Sequence, residues 1–375
     1  MRVLVTDGAN RVALAVVRAL GKAGAEVVVA EQEPFAQSTP AAFVSRHASR
    51  HEILPPLREE GRFIDALAAL AAGVDVLLPV STNVLLACAR NRNRFAARLP
   101  IPPLATIRRA NDKSTVLAAA RKTGVPIPVS YAPESDEELD EVIARLRLPA
   151  VVKLRDDEGT YLEPSERYRV SLRGDDVRAA WDELHKVRPF PVIQERIEGD
   201  GYGVGVLAKE GRVLASFCHR RVREYPITGG PSALCESVRD ERLARYAAAV
   251  IGELGWTGVA MVEFKKDDDY RLLEINPRFW GSLPLATSCG INFPDLLCRM
   301  TMGEEIAPPS EPPAGVKLRF LAMDCAAAWK ALLDGDRRGR YLWGFVRDLV
   351  DLKVKDGLID PSDLRAGLVY LSNRL

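Results

Sequence analysis

Apolar residues along the chain fall in short runs whose period changes repeatedly between that of a strand and that of a helix. Val3-Leu4-Val5-Thr6 is a continuous buried-type strand that ends at the turn Asp7-Gly8-Ala9-Asn10. Val12 to Leu20 repeats with helical period, Gly21 and Gly24 stop it, and Val27 to Ala30 reads as a second strand. A helical pattern over 63–71 precedes a further strand expected over 74–79. Strands alternating with helices predict a parallel sheet with right-handed crossovers. The Pro-rich break Leu99-Pro100-Ile101-Pro102-Pro103 closes this segment, taken as domain 1–110.

A second segment, 111–190, opens with Asp112 or Ser114 capping a helix through Lys122; Gly124, Pro126 and Pro128 end it. An acidic helix, Ser135 to Leu146, leads into the strand Ala150 to Leu154. Pro191 to Glu195 reads as the strand that starts a third segment, 191–310. The linker APPSEPPAG (307–315) leads to an extension, 311–375, expected to be helical from its apolar runs at 320–333 and 342–352. The fold class is thus α/β followed by α+β.

The richest stretch is GVAMVEFKKDDDYRLLEINPRFWGS, 258–282. Val259 to Phe264 and Arg271 to Ile275 are strand-like around the polar turn KDDDY. With a loop over 267–270, Lys266 pairs with Arg271, Glu263 lies opposite Glu274, and Asn276 shares their face. Leu272 is expected on that same face, with Leu273 and Ile275 on the other. Two carboxylates facing each other repel unless a cation sits between them, and oxygen ligands without His or Cys suit Mg²⁺. Arg278, held by Pro277, adds a planar donor for a phosphate or carboxylate. Solvated acids on an exposed hairpin are the plainer alternative, which the apolar strand context disfavours.

Composition narrows the class. The 375 residues carry 52 Lys+Arg against 51 Asp+Glu, a net charge of +1, so no electrostatic footprint for nucleic acid or a membrane surface is expected. Six scattered Cys without a CxxC pair suggest free thiols in a reducing compartment. Without a signal-like N-terminus or a long apolar run, the chain is expected to be cytoplasmic.

Glu263-Phe264 followed by Glu274-Ile275-Asn276-Pro277-Arg278 resembles the metal-binding signature of the ATP-grasp superfamily, in the style of its carbamoyl-phosphate synthetase and biotin carboxylase branch. The order of motifs agrees: an N-terminal βαβ, Asp112-Lys113, GVPIP (124–128), VVKL (151–154), QERIEGDG (194–201) and RRVREYPITGGPS (220–232). The resemblance implies a Rossmann-like domain followed by a two-subdomain ATP-grasp fold. It implies an ATP-dependent carboxylate–amine ligase working through an acyl phosphate, with small-molecule carboxylate and amine substrates and a possible homodimer. Glu263, Glu274 and Asn276 would hold two Mg²⁺, with Mn²⁺ able to substitute. Lys113 and Lys153 would contact the ATP phosphates, and backbone groups of Glu195, Arg196 and Ile197 the adenine. Arg278 would bind the carboxylate or its acyl phosphate; Arg221 and Arg223, on one face of a basic strand, would contact phosphate or carboxylate, with Arg220 pointing away.

The departures are equally specific. The family's ribose-binding Glu falls on Gly201, leaving Glu198 or Asp200 to take over. The loop RDDEGTY after Lys153 has one glycine where backbone amides usually cradle phosphate, and Gly229-Gly230 offers a flap instead. Thr6 to Arg11, with Glu31 ending the next strand, occupies the place of a dinucleotide fingerprint but keeps one of its three glycines. An unoccupied βαβ turn is the preferred reading there, over an NAD-dependent oxidoreductase. A non-catalytic ATP-binding sensor is the other alternative. His47 and His51 are spaced to share a helix face but lack companion ligands for zinc. Ser81-Thr82-Asn83 reads equally as an acceptor-pocket wall or a plain helix cap.

Overall fold

The computed structural model describes residues 1–375 apart from 163–165, 227–228, 334–337 and 374–375. Parts of the loops 155–170 and 224–236, including Ile227 and Thr228 of the RRVREYPITGGPS run, therefore lie outside the described residues.

Four parallel strands open the chain: β1 (Arg2–Val5), β2 (Glu26–Gln32), β3 (Ala48–Leu54) and β4 (Val76–Leu78), in the spatial order β3-β2-β1-β4. The crossover helix Arg11–Lys22 starts where the Asn10 side chain accepts the Val12 N–H. Its residues from Val12 to Leu20 are all buried because the helix is covered on both sides, by this sheet and by the helices Leu283–Ser288 and Phe293–Thr301. Removing side chains such as Leu14, Val17 and Leu20 from water stabilises the join by roughly 1.5–3 kcal/mol each. Strand β3 escapes the sequence reading because its Ser49-Arg50-His51-Glu52 core carries no apolar alternation. His51 therefore lies on a strand, stacked on Phe43 with ring centroids 4.5 Å apart, and His47 precedes that strand; the two share no helix.

The second sheet is antiparallel: β5 (Ser130–Tyr131), β6 (Ala150–Lys153), β7 (Tyr168–Ser171) and β8 (Val192–Glu195), in the order β5-β8-β6-β7. Helices Asp136–Arg145 and Gly174–Val187 cover one face through Leu139, Val142, Trp181 and Leu184. Strand β8, expected to open the third segment, is hydrogen-bonded between β5 and β6, so it closes this sheet instead.

The third sheet has seven strands: β9 (Asp200–Lys209), β10 (Arg212–Glu224), β11 (Ser232–Ser237), β12 (Gly258–Lys266), β13 (Tyr270–Asn276), β14 (Lys317–Arg319) and β15 (Lys355–Asp356). Their order is β13-β12-β9-β10-β11-β14-β15. One face packs on helix Arg11–Lys22 and on the Phe279–Cys298 segment, the other on helices Lys113–Lys122 and Glu241–Glu253. The extension after residue 310 is not purely helical: besides helices Leu321–Leu333, Arg338–Val350 and Leu364–Ser372 it supplies β14 and β15 to this sheet. It also returns to the first domain, where Asp363 Oδ2 accepts from Arg18 Nε at 2.9 Å and from Ser45 Oγ at 2.7 Å. Among the described residues no helix is long and apolar enough to cross a membrane.

Candidate active site

The β12–β13 hairpin and the end of β6 bring their charged side chains together. The hairpin's turn is one residue tighter than expected: Lys266 pairs with Tyr270 and Lys265 with Arg271. A bulge at Leu273 then restores the other register, so Glu263 does lie opposite Glu274. The extra residue also reverses the faces before it. Leu272 is fully buried in the core beside Phe264, away from the carboxylates, and Leu273 is the bulged, half-buried residue. Asp267 and Asp268 of the turn pair with Arg271, and Asp269 pairs with Arg242.

Cations converge on the two glutamates. Arg221 Nη2, from β10, lies 2.5 Å from Glu263 Oε2, and Lys113 Nζ lies 3.2 Å from Glu274 Oε2. Lys113 is delivered by local chemistry. Asp112 caps its helix, accepting the Thr115 N–H at 2.7 Å and Arg155 Nε at 2.6 Å. The Lys113 N–H donates to the Arg155 carbonyl, which fastens the helix start to the end of β6. Lys153, the last residue of β6, joins from the same side. Burial pushes the Lys153 ammonium down to about 8, Glu274 opposing the fall and Lys113 adding to it. Burial alone would raise the Glu274 carboxyl, but Lys113 and Lys153 hold it down near 2. Glu263 is shifted the other way, upward, because desolvation and Glu274 outweigh Arg221.

Asn276 Nδ2 donates to Glu263 Oε1 at 2.8 Å, while its Oδ1 accepts from Arg278 Nη2 at 3.2 Å. The three expected metal ligands therefore share one place. Among the described residues no cluster of three or more His, Cys, Asp or Glu exists, but two carboxylates and an amide oxygen suit Mg²⁺, which keeps waters and phosphate oxygens in its shell. Each glutamate is paired with a side-chain cation, Glu263 with Arg221 and Glu274 with Lys113, and a divalent cation would take the place of those contacts. Arg278 also donates through Nε to Thr82 Oγ1 at 3.2 Å, which brings the first domain into the site. Ser81 caps helix Thr82–Arg90 by accepting the Val84 N–H, and Asn83 receives the Gly159 N–H at 2.9 Å and donates to the Thr160 carbonyl at 2.9 Å. The cap reading of Ser81-Thr82-Asn83 thus holds, and Asn83 in addition fastens the 155–160 loop.

The hinge differs from expectation in its donors. The Glu195 N–H donates to the Val129 carbonyl and the Arg196 N–H to the Pro149 carbonyl, so neither is available to a base. The Ile197 N–H has no partner among the described residues, and its carbonyl accepts from Lys265 Nζ at 3.5 Å. Asp200 Oδ2 is 3.4 Å from Arg220 Nη1, whereas Glu198 makes no ion pair among the described residues. Gly229 and Gly230 do come to the site: the Gly229 carbonyl accepts from Tyr168 Oη at 2.6 Å and the Gly230 carbonyl from Arg221 Nη1 at 3.2 Å.

Arg223 does not belong to the site. A bulge at Val222 interrupts β10 between Arg221 and Arg223, so the two point to opposite faces. Arg223 is buried against Asp324 Oδ1 at 2.6 Å and Asp348 Oδ2 at 2.7 Å, which binds β10 to the C-terminal helices. A feature not read from the sequence lies in β9, where Gly201, Gly203 and Gly205 face one way. A Cβ on Gly201 would meet Glu224 and Arg221; one on Gly203 would sit 2.4 Å from the His219 ring, and one on Gly205 2.1 Å from Trp280. The glycines form a floor on which these side chains lie flat, and the alternation G-Y-G-V-G was its signal. It also explains why no acid stands at 201. His219, fully buried with Nε2 3.0 Å from Ser282 Oγ, is pushed down to about 3 by burial and Arg221 and stays neutral. In the first domain Glu31 accepts the N–H groups of Ala9 at 2.8 Å and Gln32 at 2.7 Å, so the acid in the dinucleotide position ties its own turn together.

Comparison with known proteins gives a consistent result. Residues 188–322 match a family described as ATP-grasp in the biosynthetic pathway with Ter operon. No curated protein matches the sequence. Similar solved structures include the biotin carboxylase domain of the Hydrogenobacter thermophilus 2-oxoglutarate carboxylase, a dimer with MgADP, ADP and bicarbonate. It has 16% identity and a TM-score of 0.66, covering 84% of this chain and 73% of that one. L-amino acid ligase from Bacillus licheniformis is 18% identical, with a TM-score of 0.59 over 83% and 75% of the two chains. N5-carboxyaminoimidazole synthetase from Staphylococcus aureus is 15% identical, with a TM-score of 0.64 over 82% and 79%. At such identities the likeness is one of fold.

Proposed function

This chain has the ATP-grasp fold, and from that premise we propose that it is an ATP-dependent carboxylate–amine ligase that forms an amide or peptide bond. The observation that carries the reading is the facing pair Glu263 and Glu274, ringed by Lys113, Lys153 and Arg221 and continued by Asn276 and Arg278. The names of the structures it resembles, an amino acid ligase and a bicarbonate-bound carboxylase domain among them, support a small carboxylate substrate.

Lys113 and Lys153 would hold the ATP phosphates, and the Ile197 N–H would meet the adenine, with Glu198 placed for the ribose. Glu263, Glu274 and Asn276 would hold Mg²⁺, two ions by the family pattern, which when bound supplies neutralisation of phosphate charge. Arg278, fixed between Asn276 and Thr82, would orient the substrate carboxylate. One carboxylate oxygen attacks the γ-phosphorus as its bond to ADP breaks. An amine then attacks the acyl carbon, the C–N bond forms, phosphate leaves, and the amine gives up a proton. Such a reaction asks the protein mainly for positioning and charge stabilisation, which fits a site of Lys, Arg and carboxylates without His or Cys nucleophiles. Glu31, engaged by two backbone N–H groups, argues against a nicotinamide dinucleotide in the first domain.

The test is nucleotide release from Mg²⁺-ATP against pooled small carboxylates and amines, resolving ADP from AMP. ADP that depends on a carboxylate and an amine, and that vanishes in a folded Glu274→Gln variant, is expected. AMP release, or turnover unchanged in that variant, overturns the reading. ATP binding without ADP release in any pool would favour a binding protein.

A further inference from the structure

The C-terminal helices Leu321–Leu333 and Arg338–Val350 are built the wrong way round for an isolated subunit. Asp324, Ala327, Ala328 and Ala331 are buried on the first helix, and Asp348 on the second; the two aspartates close on the one Arg223 guanidinium. The charged side is therefore inward, held by ion pairs. The two helices also pack against each other, so the side of each that lies opposite its aspartate is left exposed.

That outer side is apolar. On the first helix Ala322, Cys325, Trp329 and Leu332 recur at helical spacing and are exposed; on the second, Trp343, Val346, Leu349 and Val350 do the same. Trp329 is 65% exposed, Trp343 71% and Val350 70%. Of the five tryptophans, Trp181, Trp256 and Trp280 are buried, so the two on this face are the exception. With about 150–250 Å² for a whole aromatic side chain, the exposed fractions amount to a patch on the order of 700 Å². A typical monomer exposes at most about 300–600 Å² in one patch, whereas one partner in a standard interface contributes about 800 Å².

We propose that this face is a self-association surface, on which a second copy of the chain lays the same two helices about a two-fold axis. The size of the patch is that of one half of a stable dimer. A helix pair with one apolar side is also self-complementary, since two such pairs stacked face to face form a four-helix layer that buries both stripes. A lipid bilayer is the other surface that an apolar, tryptophan-bearing helix face meets, and the vesicle arm of the test separates it from self-association.

Sedimentation velocity across about 1–50 μM should give the wild type a mass twice 41.2 kDa at the upper end. A Trp329→Glu, Trp343→Glu variant should sediment as a monomer, with circular dichroism and ATP binding unchanged. If the double variant does not fold, Trp343→Ala alone should still raise the dimer dissociation constant at least tenfold. A wild type that remains monomeric at 50 μM overturns the proposal, as does a folded double variant that stays dimeric. A monomer that instead co-sediments with phosphatidylcholine–phosphatidylserine vesicles overturns it in favour of a lipid surface.

Discussion

The Arg221 guanidinium lies 2.5 Å from the Glu263 carboxylate, so in this conformation a side-chain cation stands beside a carboxylate proposed as a metal ligand. Breaking a half of such a recessed pair leaves the other charge uncompensated, at a cost of about 3–5 kcal/mol. Arg221→Ala should therefore lower the melting temperature markedly in the presence of EDTA. Mg²⁺-ATP should then raise it by more than it raises the wild type, because the added cations replace the lost one. Melting curves with and without Mg²⁺-ATP check this; equal ligand-induced shifts in both proteins would refute it.

Lys153 makes a pH dependence of nucleotide binding. Its ammonium is depressed to about 8 by burial in the ligand-free protein, and a bound polyphosphate favours the charged form. Below pH 8 the lysine is already charged and binding takes up no proton. Above it, binding must protonate the amine, so ATP affinity falls as pH rises through about 8, by up to tenfold per unit. Lys153→Arg, with a group that stays charged, should bind ATP with a flat profile over pH 7–9. Calorimetric titration at several pH values in buffers of different ionisation heat reads both the affinity and the proton uptake.

The glycine floor gives a sharp pair of substitutions. A Cβ on Gly203 lies 2.4 Å from the buried His219 ring, which is held by Ser282 and has nowhere to go. Gly203→Val should cost about 3 kcal/mol or more by overpacking. Gly61, on helix Glu60–Ala71 with nothing within 4 Å of a Cβ, should tolerate alanine and gain up to about 1 kcal/mol. Urea unfolding of the two variants should move in opposite directions.

How much of this was legible in the chain depends on the range of the cause. The facing Glu263 and Glu274 followed from strand alternation and a polar turn, and Asp112 announced its helix by capping chemistry. The Leu273 and Val222 bulges had no local signature, since a single extra residue in a strand is set by what the strand packs against; yet each reverses a face. Strand β3 was hidden because its exposed edge carries polar residues, and β14 and β15 because three or two residues show no period. The hinge donors were lost to Val129 and Pro149, partners far along the chain that only the fold brings near.

Arg223 shows what such a reversal does to function. The sequence places it with Arg221 at the phosphates; the bulge sends it into a buried cluster with Asp324 and Asp348, where Lys317 Nζ also approaches Asp348 at 2.8 Å. Its aromatic surroundings, Phe345 and Tyr341, lie about 6 Å from the guanidinium. Arg223→Ala would leave the buried Asp324 without its cation, while Asp348 keeps Lys317 and Arg347, and should cost about 3–5 kcal/mol. Replacing the whole cluster is a different experiment. Arg223→Met combined with Asp324→Leu and Asp348→Leu removes the three buried charges together, leaves the partly exposed Lys317 to solvent, and should recover most of that loss. Unfolding free energies of the single and triple variants test the cluster, and ATP affinity tests its remoteness from the site. A folded triple variant with wild-type ATP affinity is expected; a triple variant as stable as wild type but unable to bind ATP would return Arg223 to the active site.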